Sequence, residues 1–115
     1  METTNEKIAA LESTIVAIQH QIANGPITIP IQSLNDDQLV VIKEILAVVQ
    51  EDEGAFVATF FDANINASGD SQIEAVEMLK EMLASSYRLF VNREQELGTR
   101  PRQQLATLRK HIAKI

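Results

Sequence analysis

The stretch Gly69-Asp70-Ser71-Gln72-Ile73-Glu74-Ala75 constrains this chain more than any other. An apolar, strand-like run, Ala55 to Phe61, comes shortly before it, and a strongly helical run, Ala75 to Val91, follows. Ser71 and Glu74 have capping-box spacing. The serine hydroxyl accepts from the backbone amide three residues on, and the glutamate carboxylate reaches back toward the cap amide. Both residues are therefore assigned to helix capping. A strand that turns into a capped helix within a few residues requires a sheet with a helix folded back on it.

The flanking elements follow from periodicity. Ile27, Ile29 and Ile31 alternate with Thr28, Pro30 and Gln32, which predicts a short strand that Pro30 confines to a sheet edge. Residues 36–50 read in two ways. Leu39, Ile42, Leu46 and Val49 fit a helical stripe, yet the segment is rich in β-branched residues that favour strand. The favoured reading is a turn or helical start near 36–42 and a strand at 44–50; a single helix over 36–50 is the alternative. Glu51-Asp52-Glu53-Gly54 predicts a four-residue hairpin loop into the strand 55–61. Ala63, Ile65 and Ala67 alternate with Asn64, Asn66 and Ser68, so a further strand follows a bend at Asp62. The helix at 71–91 has an apolar stripe of Ala75, Val76, Leu79, Met82, Leu83, Tyr87 and Phe90, opposite Glu77, Lys80, Glu81 and Arg88. After Leu97-Gly98, Thr99 is placed to cap a last helix, with Leu105, Leu108 and Ile112 on its apolar side and Pro101 in its first turn. The five aromatic residues lie in the central strand and the long helix, which puts the core between them.

Residues 1–25 read as an N-terminal helical arm. Ile8, Leu11, Ile15, Ile18 and Ile22 recur at steps of three and four, an a/d seam of about two heptads. A helix of this length barely holds in water on its own and must pack on something. Oligomerisation through paired arms is the expectation; docking on the same chain is the alternative. Asn24-Gly25-Pro26 ends the helix, and residues 26–115 form the domain proper.

Charge is unevenly spread. The net charge is −6, yet Arg88 to Ile115 holds seven basic and two acidic residues, leaving three basic and fourteen acidic residues for the rest. An acidic body suits a basic partner. Arg100, Arg102, Arg109, Lys110 and Lys114 are candidate nucleic-acid contacts, although a helix C-terminus favours such residues electrostatically in any case. The chain has no cysteine, which excludes disulfides, zinc–thiolate sites and thiol catalysis. No apolar run approaches membrane-spanning length, so a soluble cytoplasmic protein is expected. Chemistry is weakly signalled. His20 and His111 lie far apart, each predicted on a helix surface. Ser71, Ser85 and Ser86 have no nearby base. Asp62, Asp70 and Glu74 are the one carboxylate set that convergence at the strand–helix junction would turn into a metal or acid–base site. The expectation is no metal, no cofactor and no enzymatic activity.

With these elements placed, residues 44–84 resemble the HicB-like antitoxin family. The matching residues are Gly54, Phe56, Ala58, Phe61-Asp62, Gly69-Asp70-Ser71, Glu74-Ala75 and Leu79. The family's Pro-Asp-Leu-Pro-Gly bend is replaced here by Phe61-Asp62-Ala63-Asn64-Ile65, and neither the N-terminal arm nor a recognisable DNA-binding module matches its pattern. The extended form with Leu97-Gly98 and the Gln104-Leu105 helix also resembles small cyanobacterial proteins of unassigned role. The resemblance implies a partial ribonuclease-H-like fold and a non-enzymatic role, binding and blocking a small basic RNA-cleaving toxin. The other reading is an oligomeric scaffold or regulatory protein with no toxin. The expected fold is α+β: a mainly antiparallel sheet of three to four strands, a long helix packed across it, the N-terminal arm and a C-terminal helix.

Overall fold

The computed structural model describes residues 25–115, an α+β arrangement of two antiparallel sheets and two α-helices. The arm seam at Ile8, Leu11, Ile15, Ile18 and Ile22 lies outside the described residues. The main sheet has four strands in the order β1 (Ile27–Ile31), β3 (Ile45–Asp52), β4 (Ala55–Phe60) and β5 (Ile65–Gly69). A second sheet pairs β2 (Leu39–Val41) with β6 (Ile112–Lys114). Helix α1 (Gln72–Asn92) packs over β5 and β4, and α2 (Thr99–His111) follows a short 3-10 turn at Glu94–Glu96.

Period-two alternation sorts the main sheet into a covered and an open face. Register places Ile27, Ile29 and Ile31 beside Val49, Ala47 and Ile45, and Ala58 beside both Val49 and Ala67. These residues, with Phe60 and Ile65, point toward Ala75, Val76, Leu79 and Leu83 of α1, where most are fully buried. As Pro30 requires, β1 lies at the sheet edge.

Residues 36–50 follow the favoured reading, a turn and then the strand β3, with the three-residue β2 as an addition, and the single-helix alternative falls. Several elements differ from the sequence expectation. The β3–β4 loop has two residues, because pairing continues to Asp52–Ala55. Glu53 and Gly54 take left-handed backbone, φ 53° and 86°. That is the type I′ geometry matching the twist of flanking strands. Helix α2 has Gly98 as its N-cap and no side-chain cap, since Thr99 is already its first helical residue. It ends at His111, so Ile112 belongs to β6. Met82 is 44% exposed, outside the buried stripe that Ala84 joins.

The loop before β2 is tied to α1 by a bidentate ion pair. Arg88 Nη2 lies 2.7 Å from both carboxylate oxygens of Asp36. The Arg88 hydrogen bond, helped by the Gln38 amide, holds the Asp36 carboxyl below the usual aspartate range. A depressed folded pKa stabilises above the ordinary carboxylate range, and that contribution is lost as pH falls through the folded value. Asp36→Asn is therefore expected to flatten the acid limb of the stability profile. Urea midpoints measured from pH 7 down to pH ~3 should fall less for the variant than for the parent; parallel curves would rule the linkage out.

Candidate functional site

At the strand–helix junction Ser71 and Glu74 both cap the helix. Ser71 Oγ accepts from the Glu74 amide at 3.1 Å, as the capping box requires. Glu74 Oε1 accepts from the Asp70 amide at 2.6 Å, one residue further back than the cap amide expected of it. Asp62, Asp70 and Glu74 do not converge. Asp62 sits in the turn before β5 and Asp70 just past its far end. Among the described residues no group of three or more His, Asp or Glu side chains is placed to hold a metal ion.

The basic residues after Arg88 have different surroundings. Arg109 makes a bidentate pair with Glu94, at 2.7 and 2.8 Å, which lowers the Glu94 pKa and raises that of Arg109. Arg102 Nη2 donates to the Leu97 carbonyl at 2.8 Å. Arg100 lines a polar cleft with Asp62, Asn64 and Gln103, whereas Lys114 lines another with Leu39, Tyr87 and Arg88. Lys110 is exposed. Two of the five charges are thus used within the fold, and two others occupy different clefts.

Among the described residues, a concave feature of apolar character lies where β3 and β4 part. Strand β3 pairs with β1 through Ile45–Val49 and with β4 only from Val48 onward. Below that point a groove of about 270 Å³ opens between Leu46, Val48, Phe60 and Phe61, with Lys43, Glu44 and Asp62 also lining it. Leu46 is 51% and Phe61 62% exposed. Ile42, between β2 and β3, is exposed as well.

His111 also lines this groove, and it was expected on a helix surface. It is instead buried, with its ring edge-on to Phe60 at a centroid distance of 5.0 Å. Its Nδ1 lies 3.1 Å from the Lys43 carbonyl and 3.2 Å from that of Glu44. Carbonyls only accept, so Nδ1 carries the proton and donates. The His111 carbonyl in turn accepts from the Ile42 amide at 2.7 Å. One residue therefore clamps the β2–β3 connection onto the end of α2.

Sequence reasoning missed Leu46, Phe61 and His111 as site residues. The alternation Ile45-Leu46-Ala47-Val48-Val49 does place Leu46 on the face opposite the core, but no local pattern brings residue 111 beneath residues 43 and 60. Among the described residues, no helix is long and apolar enough to cross a membrane. No family model, curated protein or solved structure matches the chain.

Proposed function

We propose that this chain is a non-enzymatic protein-binding module of HicB-like type, acting in the cytoplasm against a small basic partner. The observation that carries this reading is the groove at the β3–β4 parting. Exposed Leu46 and Phe61 beside Lys43, Glu44 and Asp62 offer apolar anchorage with a charged rim in which carboxylates outnumber the one lysine. The resemblance over residues 44–84 adds support, as does the acidic balance before Arg88. The family role implies that the partner is an RNA-cleaving toxin. The N-terminal seam, in this reading, joins copies of the chain through Ile15 and its neighbours.

The test is a pull-down from the native host with the full chain as bait, run beside a Leu46→Asp/Phe61→Asp variant. The parent is expected to retain a small basic protein that arrests growth when expressed alone, and the variant to lose at least about tenfold of it, ~1.4 kcal/mol. Equal capture by both baits would remove the groove from the account. A captured partner without toxicity would favour the scaffold role instead.

A further inference from the structure

Edge strands that carry no charge, proline or bulge are templates for pairing with another strand. The two edges of the main sheet differ in this respect. β1 contains Pro30, whereas β5 reads Ile65-Asn66-Ala67-Ser68-Gly69, with no proline and no charge. Among the described residues, nothing pairs with the outer edge of β5.

The helix above this edge has an unpartnered apolar flank. At about 100° per residue, Met78, Met82 and Leu89 fall within about 40° of one another. They are 42%, 44% and 54% exposed. The other flank of α1 faces the β1 side of the sheet, since Glu77 accepts from Asn35 and Arg88 pairs with Asp36, both in the loop after β1. The Met78–Leu89 flank therefore overhangs the β5 edge.

We propose that β5 pairs antiparallel with β5 of a second copy, making one eight-stranded sheet, and that the Met78, Met82 and Leu89 flanks of the two α1 helices pack across the two-fold axis. The strand is self-complementary in this register. Ala67 lies opposite Ala67 of the second copy, with no bulk at the axis. Asn66 lies opposite Ser68, a polar pair on the open face, where both are exposed. A one-residue slip would turn every side chain to the wrong face. The helices also reach each other. Helix α1 packs over β5 and, less extensively, over β4, which sets its Met78–Leu89 flank beside the axis. Such pairing is isologous and closes at two copies. It is separate from the arm, so the two modes of association can be tested apart.

The experiment uses the full chain carrying Ile15→Lys, which breaks any arm seam. Light scattering at micromolar concentration is expected to give twice the chain mass of 12.8 kDa. Adding Asn66→Lys and Ser68→Lys sets like charges opposite each other across the axis and should halve that mass, with the unfolding midpoint extrapolated to dilute protein unchanged. Met82→Glu should weaken the dimer through the helices alone. The register has its own readout in this cysteine-free chain. Oxidising a mixture of Asn66→Cys chains and Ser68→Cys chains should cross-link one to the other, with little product from either alone. A single-chain mass for the Ile15→Lys protein, or a double mass untouched by the lysine pair, would overturn the proposal, and extended-peptide capture would then be the use left for the β5 edge.

Discussion

Replacing Gly69 by alanine is expected to lower stability by about 3 kcal/mol, at the upper end of what an overpacked methyl costs. At this domain size that is a fall in Tm of about 10 °C or more. The reason is steric and has nothing to do with backbone dihedral preference. A Cβ on Gly69 would sit 2.6 Å from the Ala75 amide nitrogen and 2.8 Å from the Glu74 carbonyl carbon. Both are backbone atoms of the first turn of α1, so no side-chain rotation relieves the clash. The helix start must move off the end of β5. That movement also strains the two bonds that cap it, from Ser71 Oγ to the Glu74 amide and from Glu74 Oε1 to the Asp70 amide. Gly98→Ala is the matched control, since nothing lies within 4 Å of its added carbon. Urea titration of both variants checks the point. A shift of the Gly69→Ala midpoint no larger than that of Gly98→Ala would show that the junction accommodates a side chain.

This junction explains why part of the fold can be read from the chain and part cannot. The start of α1 is specified within seven residues: a tight glycine, a capping serine and a glutamate at fixed spacing. Its body follows from apolar residues at helical intervals, and β4 from a short apolar run between two turns. The second sheet has no such local record. Leu39–Val41 and Ile112–Lys114 are three residues each and pair across more than seventy positions. Leu105, Leu108 and Ile112 keep a helical interval, although the last of them is already strand; only its pairing with Val41 distinguishes the two states. The groove is of the same kind. Leu46 owes its exposure to strand alternation, Phe61 to the turn closed by the Asn64 amide on the Phe61 carbonyl, and His111 to a helix end that arrives from the far side of the domain. The basic residues after Arg88 were legible as a cluster in sequence, but Glu94 and the Leu97 carbonyl engage two of them in space.

His111→Ala should be among the most damaging single changes, costing about 3–4 kcal/mol. Two losses combine. The ring leaves a void beside Phe60, against which it packs edge-on at 5.0 Å, and the carbonyls of Lys43 and Glu44 lose their shared donor. His111→Phe separates the two. It keeps a ring of similar size in contact with Phe60 but donates nothing, so it is expected to cost about 1 kcal/mol for the lost, part-buried hydrogen bonds. Urea midpoints for the three proteins at neutral pH give the order parent, Phe, Ala. Hydrogen exchange locates the damage: the Ile42 amide, which donates to the His111 carbonyl, should lose protection in both variants, and most in His111→Ala. If Phe matched the parent, the clamp would be packing alone and the carbonyls would be satisfied by water entering the groove. If Ala and Phe were equally damaging, the hydrogen bonds would be the larger part. In that case the groove between Leu46 and Phe61 keeps its shape because a polar contact from His111, itself part of the lining, fixes the start of β3.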